Sequence, residues 1–549
     1  MRISVSGLFV PALLLSGFLA AAQVPSPSAT VGVPGGSSEG CARLAQINLA
    51  NATITSATAI QRGAFSGPAA AYTGADMAAI YKILPPFCRV LVHAHPTADS
   101  DIGIEVWMPL TGWNGRLEGF GNGGFAGVID YSALGSLMLG FAAAATDAGH
   151  TGSPIDATWA LGHPEKIEDF GHRGIHEMTR VAKAVVEQFY GSAAKHAYFF
   201  GCSDGGREAL MEAQRYPADY DGILAGAPAN NWTSLLTMAV VDTQALTATP
   251  AAFIPQVKIP TITKAVVAAC DAQDGLADGI LNDPAQCRFD PASIACKADA
   301  DANDCLTAPQ VAALKAIYAG LHDAKGRSIF PGYLPGAEEG QGGWGLWITG
   351  PAPAGSLMAM FGTGYYSNMV YSKGWDYKSF TPDAGLRDAR QKTAEALDAV
   401  NPDLSAFYSR GGKLILYHGW NDPAIPALST VNYYKAVVAK AGPARADSFV
   451  RLYMVPGMQH CGGGPGATVL EHFTATGPDE NSNVDLALRN WVEKGTAPGT
   501  IIAVKTIGEH PMGAVTMSRP LCPYPQTAKY KGRGDPNHAE SFVCAAPPK

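Results

Sequence analysis

Short apolar runs bounded by turn residues alternate along this chain with stretches in which apolar positions recur every three or four residues. Ile102 to Met108 and Gly140 to Ala145 are runs of the first kind and predict strands. Arg173 to Tyr190 carries Ile175, Met178, Val181, Ala182 and Val185 at helical spacing. His196 to Phe200 predicts a further strand, followed at once by glycines and a helix to about Tyr216. The rhythm returns late in the chain, with a strand over Lys413 to Tyr417, a helix near Thr430 to Lys440 and a strand over Phe449 to Val455. Strands that alternate with helices imply a parallel sheet covered on both faces.

The middle of the chain breaks that rhythm. About Asn230 to Val400 holds four cysteines, an acidic turn cluster and a Gly/Trp/Tyr-rich stretch from Gly340 to Trp375. This reads as a lid inserted into an α/β fold, giving a first part over 41–229, a lid over 230–400 and a second part over 401–549. Ahead of these, residues 23–40 are rich in Pro, Ser and Gly and predict a loose leader. Residues 1–22 read as an export signal: Arg2, then the apolar run Leu8 to Leu19, then Ala20-Ala21-Ala22 for cleavage. That run is shorter than the roughly 20 residues that span a bilayer, and no later segment predicts a membrane span.

Composition agrees with a large folded chain. Its 549 residues exceed one minimal core, and 47% apolar against 16% charged residues is far from a disordered balance. A formal charge of −8 with no Lys/Arg-rich block argues against nucleic acid as a partner. The ten cysteines are even in number and form no Cys-x-x-Cys pair, which favours disulfides over zinc or redox chemistry. Together with the export signal, they predict a secreted or periplasmic protein.

The sharpest chemical signal is Gly201-Cys202-Ser203-Asp204-Gly205-Gly206, lying between an apolar strand and a helix. Gly-x-Ser-x-Gly in that context is the arrangement of a nucleophile elbow, where flanking residues without a Cβ let the serine project from a tight turn. The backbone N–H of Asp204 then faces a developing oxyanion. A serine nucleophile needs a base and an orienting acid, in the order Ser, Asp, His on this fold. Asp422, in His418-Gly419-Trp420-Asn421-Asp422-Pro423, follows a late strand where the acid belongs, although Asp-Pro turns are common. His460 follows the next strand across a short turn. His418 is too near Asp422 in sequence to be an obvious base. Cys202 directly precedes the candidate nucleophile and Cys461 directly follows the candidate base. A bridge between them would clamp Ser203 beside His460, with roughly 5 kcal/mol from loop closure; the alternative is that each pairs elsewhere.

Gly-Cys-Ser-Asp-Gly-Gly-Arg, His-Gly-Trp-Asn-Asp-Pro and Met-Gln-His-Cys together resemble the tannase/feruloyl esterase family, over about residues 40 to 545. The resemblance implies an α/β-hydrolase fold with a large inserted lid domain, a Ser203–Asp422–His460 triad and a Cys202–Cys461 bridge. It also implies the pairs Cys41–Cys88, Cys270–Cys287, Cys296–Cys305 and Cys522–Cys544, which spacing alone leaves open. Gly119 to Phe125 resembles the family turn that supplies the second oxyanion donor, expected here at Gly123 with Gly124 next in line. In the lid, Asp271, Asp274 and Asp278 interleave with Leu276 and Ile280. Three carboxylates among carbonyls suit Ca²⁺ without matching an EF-hand, and an exposed acidic turn is the plain alternative. The resemblance implies a structural calcium held by those three side chains and the carbonyls of Leu276 and Ile280; the ester chemistry needs no metal.

The family cleaves esters of phenolic acids such as ferulate and gallate, so the expected partner is a small aromatic ester, free or attached to plant polysaccharide or tannin. Trp344, Trp347, Phe361, Tyr365, Tyr366 and Trp375 are candidates to stack on an aromatic acyl group or to form lid core. One branch of the family cleaves a terephthalate monoester using a lid arginine. No arginine occurs between Ser328 and Leu386, where Lys373 and Lys378 stand, so a phenolic-acid ester is the first expectation. A hydrolase of the same fold acting on peptides or lipids, or a non-catalytic calcium-stabilised binding protein, are the rivals.

Overall fold

The computed structural model describes residues 36–546 apart from 73, 75, 299, 475–476 and 510. The expected signal segment, residues 1–22, and residues 23–35 of the expected leader lie outside the described residues. Residues 38–40 of that leader are already helical, because Ser37 caps a helix over Ser38–Arg43 by accepting the Gly40 N–H at 2.9 Å.

Nine strands form the central sheet. They are β1 (Ala52–Ile60), β2 (Phe87–Ala94), β3 (Ile102–Pro109), β4 (Arg116–Phe120), β5 (Ala142–Thr146), β6 (His196–Cys202) and β7 (Gly222–Gly226). A small hairpin, β8 (Leu321–His322) with β9 (Ser328–Phe330), stands apart before β10 (Lys413–Gly419) and β11 (Val450–Val455) complete the sheet. The order is β1-β2-β3-β5-β4-β6-β7-β10-β11. From β5 to β11 every pairing is parallel, whereas β1, β2, β3 and β5 pair antiparallel. The parallel sheet expected from the sequence runs from β5 to β11, and β1, β2 and β3 extend it as an antiparallel edge. The antiparallel edge needs no crossover helices, so it leaves no helical rhythm in that part of the chain.

Both faces are covered. Phe199, Ile223, Leu414 and Leu416 point into one core with Met178, Val181 and Val185 of the helix Gly174–Tyr190. Their neighbours Tyr198, Leu224, Ile415 and Tyr417 point into another with Leu488 and Trp491 of the helix Val484–Lys494. Successive residues of a strand face opposite sides, so each parallel strand reads as unbroken apolar sequence. Residues 227–412, between the adjacent strands β7 and β10, hold no strand of the main sheet. They pack around their own apolar cluster, in which Leu236, Ile262, Leu314, Tyr365 and Tyr366 are buried. Among the described residues no helix is long and apolar enough to cross a membrane.

Candidate active site

β6 ends at Cys202 and a helix over Asp204–Arg215, the elbow helix, starts two residues later. Ser203 between them has φ 66 and ψ −121, a conformation of a kind that side chains rarely adopt and that surrounding contacts must hold. Its N–H donates to the Gly226 carbonyl at 3.0 Å, and its own carbonyl accepts from Arg207 and Ala229. A Cβ on Gly201 would lie 2.3 Å from the Gly205 carbonyl oxygen, and one on Gly205 would lie 2.9 Å from that of Asn122. Those two close approaches are why both positions around the serine are glycine.

Asp422 and His460 leave β10 and β11 on the same side of the sheet and converge on Ser203. His460 Nε2 lies 2.9 Å from Ser203 Oγ, and His460 Nδ1 lies 2.9 Å from Asp422 Oδ2. The carboxylate fixes the tautomer: Nδ1–H donates to it, leaving the Nε2 lone pair toward the serine. Asp422 Oδ1 accepts from the Ala424 and Ile425 N–H groups at 2.8 and 2.9 Å. Burial works against its charge, but the imidazoles, His460 foremost, overcome it and hold Asp422 well below the ordinary carboxylate range.

One member of this network is not evident from sequence. His418, fully buried at the end of β10, approaches Asp422 Oδ2 through Nε2 at 3.1 Å and the Ile425 carbonyl at 3.0 Å. Both partners are acceptors, so Nε2 carries the proton, and Nδ1 receives the Thr430 hydroxyl at 2.8 Å. His418 is thus a second imidazole on the acid rather than a rival base. Its position four residues before Asp422 was the available signal, but that contact depends on how the loop turns back.

Cys202 and Cys461 are bonded, with Cα atoms 6.0 Å apart. The other pairs are Cys41–Cys88, Cys270–Cys287, Cys296–Cys305 and Cys522–Cys544, and no cysteine is free. Cys461 has φ 60, so residues with positive φ stand on both sides of this bridge.

The turn after β4 packs on the elbow helix. The Asn122 carbonyl accepts from Gly205 N–H at 2.8 Å, and the Asn122 N–H donates to the buried Glu208 carboxyl at 2.7 Å. Burial pushes Glu208 well above its ordinary value, with Asp204 adding to the shift. The Asp204 N–H opens the helix with no intrahelical partner, as an oxyanion donor would. The Gly123 N–H, expected as the second donor, is already used: it donates to the Tyr72 hydroxyl at 2.8 Å.

The aromatic candidates separate. Trp347 stands edge-to-face against His460, ring centroids 4.7 Å apart, and Phe361 stacks behind it while also meeting Phe125. Trp344 packs on Tyr318 and Tyr333, Tyr365 and Tyr366 bond to Thr393 and Thr237, and Trp375 stacks on Tyr366. Those four serve the core of the insertion.

In the acidic loop, Asp271 Oδ2 accepts from Gly279 N–H, Asp274 from Leu276 and Asn282 N–H, and Asp278 Oδ1 from Ile280 N–H. Among the described residues no three such side chains converge as a ready metal cage. The donor chemistry nonetheless fits a hard cation. Asp271 Oδ1 is buried without a partner, and Asp274 is pushed up to about 6 by burial, with the charges of Asp278 and Asp271 adding to it. Arg519 takes part of that negative charge, bonding Asp278 Oδ2 at 2.6 Å.

Similarity to known proteins runs over most of the chain. The sequence model described as "Tannase and feruloyl esterase" matches residues 88–545. An uncharacterised esterase of Xanthomonas campestris is 39% identical over 539 residues, covering 93% of this chain and 92% of its own. The mono(2-hydroxyethyl) terephthalate hydrolase of Piscinibacter sakaiensis is 35% identical over 518 residues, covering 82% of each. The crystal structure of feruloyl esterase B from Aspergillus oryzae superposes with a TM-score of 0.82 at 28% identity, covering 92% of this chain and all of that one.

Proposed function

The chain belongs to the tannase and feruloyl esterase family and is a carboxylic-ester hydrolase of α/β-hydrolase fold; from that premise we propose that it works through a serine nucleophile on esters of aromatic, phenolic acids. The observation that carries the serine mechanism is the unbroken path Ser203 Oγ–His460–Asp422, built on an elbow. Ser203 Oγ attacks the ester carbonyl while His460 Nε2 takes its proton. Asp422 keeps the ring oriented and offsets the positive charge that forms on it. The carbonyl electron pair moves onto oxygen beside the Asp204 N–H. On collapse the alcohol leaves with the proton from His460, and water then releases the acid from Ser203 by the same steps in reverse.

The acyl group is read from Trp347 at His460, backed by Phe361, whose aromatic surfaces suit a flat ring. Lys373 and Lys378, the cations of that stretch of the insertion, are both exposed, which favours an uncharged phenolic acyl group over a terephthalate. The ester's alcohol side is free or plant-derived, polysaccharide or tannin. Five disulfides suit an oxidising compartment, which supports a secreted or periplasmic location. The acidic loop is proposed to bind calcium through Asp271, Asp274 and Asp278 with the carbonyls of Leu276 and Ile280, stiffening the insertion and taking no part in the chemistry.

Purified protein is assayed on methyl ferulate, methyl gallate and mono-(2-hydroxyethyl) terephthalate beside Ser203→Ala. Cleavage of a phenolic ester, lost in Ser203→Ala, is expected. Equal turnover by the variant ends the serine mechanism, and preference for the terephthalate ester ends the substrate assignment.

A further inference from the structure

We propose that Gln459 and Asn421, each one residue before a member of the triad, are positioning residues that set the insertion's Trp347 on His460 and so the preference for an aromatic acyl group; this rests on the acyl reading proposed above. Residues 335–340 form a strap of the insertion that lies against both triad loops. Asn421, beside Asp422, donates through Nδ2 to the Pro335 carbonyl at 2.9 Å. Gln459, beside His460, donates through Nε2 to the Ala337 and Glu339 carbonyls, each at 2.7 Å. All three partners only accept, so the amide nitrogens are the atoms that face the strap. Both amide side chains are buried, as is Ala337, and a buried carbonyl stripped of its donor is costly.

The backbone of the strap is shaped to these two amides. Gly336 has φ 107, and a Cβ there would lie 2.9 Å from Asn421 Nδ2. Ala337 has φ 55, which an alanine seldom adopts and which outside contacts must hold; its carbonyl is one of the two that Gln459 takes. From there the strap leads to the aromatic wall. The Glu338 carbonyl accepts from Trp344 N–H at 2.8 Å, and the Gly343 carbonyl accepts from Trp347 N–H at 3.2 Å, opening the short helix Trp344–Trp347. Trp347 closes the ring on His460, with 4.7 Å between centroids.

Gln459 and His460, neighbours in one loop, thus touch the insertion at two points, and a strap displaced along Gln459 moves Trp347 across the imidazole. The acid loop belongs to the same unit. Asn421 N–H donates to the Met458 carbonyl at 3.2 Å, and Tyr333 Oη donates at 3.3 Å to the carbonyl of Ala424, whose N–H holds Asp422 Oδ1. Neither amide meets the ester. They fix the surface on which the acyl ring lies while Ser203 attacks.

The test is Gln459→Met, which keeps the reach of the side chain and removes its N–H groups. It is assayed as kcat/KM on methyl ferulate against methyl butanoate, whose acyl group has no ring. The ratio of the two is expected to fall about tenfold, the worth of one aromatic contact, through a raised KM for methyl ferulate. Trp347→Ala should lower the same ratio, and adding Gln459→Met to it should change the ratio by less than about twofold, because the amide acts through that ring. An unchanged ratio in Gln459→Met overturns the proposal, as does a double variant whose loss is the product of the two single losses. A kcat lowered alike on both esters overturns it too, since Gln459 would then serve His460 alone. Asn421→Ala, which gives up a single bond, carries the same comparison should Gln459→Met fail to fold. A parent with no preference for methyl ferulate defeats the acyl reading and the proposal with it; a parent preference that survives in Gln459→Met defeats the proposal alone.

Discussion

Replacing Cys202 and Cys461 together by alanine removes the covalent link between the proposed nucleophile and base while leaving Ser203, His460 and Asp422 in place. The bridge closes a separation of 259 residues. Chain entropy assigns about 5.5 kcal/mol to closing a loop that long. A shortcut through the Cys270–Cys287 and Cys296–Cys305 loops, with separations of 17 and 9 residues, changes this by only about 0.1 kcal/mol. At about 2.1 cal/mol/K per residue, a chain of 549 residues unfolds with roughly 1.1 kcal/mol/K, so the expected fall in melting temperature is about 5 °C. The effect on catalysis is larger than that modest shift implies. Ser203 and Cys461 both hold positive φ, at about 1–3 kcal/mol each, and the bridge is one of the constraints that keeps them there. Relaxation of either backbone moves Oγ and Nε2 apart, and a displacement near 1 Å costs on the order of 10²-fold in rate. The assay is steady-state hydrolysis of methyl ferulate at 25 °C, with circular dichroism melts of the same samples. A drop in kcat of about ten- to a hundredfold, in protein that remains fully folded, is expected. Full turnover in the folded double variant would refute the reasoning, since β6 and β11 alone would then set the register.

Three further outcomes follow from the same contacts. His418→Phe removes a donor from Asp422 Oδ2 and should lower kcat about tenfold without raising KM; His418→Gln, which can restore an N–H, should recover part of it, and equal activity of all three proteins would show His418 to be packing alone. The Asp147 carboxyl is pushed up to about 7 by burial, so the folded chain holds a proton there that the unfolded chain releases near pH 4. Stability from this group is present below pH 4 and lost as pH rises through 7; Asp147→Asn should flatten the melting temperature between pH 4 and 8, and an unchanged slope counts against that assignment. Stripping divalent cations with EGTA should lower the melting temperature by a few degrees, from about 2.7 kcal/mol at a hundredfold excess of calcium over its dissociation constant; Asp271→Ala should abolish the response, and a wild-type melt indifferent to EGTA removes calcium from the account.

What the sequence made legible is what short-range covalent geometry dictates. Gly201 and Gly205 are glycine because each faces backbone at under 3 Å, so the elbow is written within five residues. The site strands β6, β10 and β11 are buried on both faces and read as apolar runs. β1 was not legible, because its exposed alternation of Thr, Ser and Ala carries little apolar signal. β4 and β7 span five residues each, too short for any period. Partners distant in sequence were equally hidden. Tyr72 lies 51 residues before the N–H it accepts, and nothing local marks it. Trp344 and Trp347 sit one turn apart, yet one enters the insertion's core and the other meets His460. Which face each took depended on where the insertion docks.

The Gly-Cys-Ser-Asp-Gly-Gly-Arg segment raises a difficulty that Arg207 resolves. A helix N-terminus stabilises negative charge through its free N–H groups and dipole, and in the proposed serine mechanism that end faces the position where the oxyanion would form. Asp204 is the first helical residue, so an ionised carboxylate there would oppose the same charge the N–H is meant to hold. Burial raises Asp204 and Arg207 pulls it back, leaving it at about 6. Arg207 is wholly buried, bonds Asp204 Oδ1 at 2.7 Å, donates to the Phe170 and Gly171 carbonyls, and lies 4.7 and 5.3 Å from the ring centroids of Phe170 and Trp232. With each guanidinium nitrogen hydrogen-bonded, the pair is held as a local ion pair. A positive arginine cancels the carboxylate within one helical turn, and the field at the Asp204 N–H stays favourable to an oxyanion. In the proposed mechanism, the arginine three residues beyond the elbow's Asp204 would therefore act on the same atom as the elbow itself, through charge rather than contact.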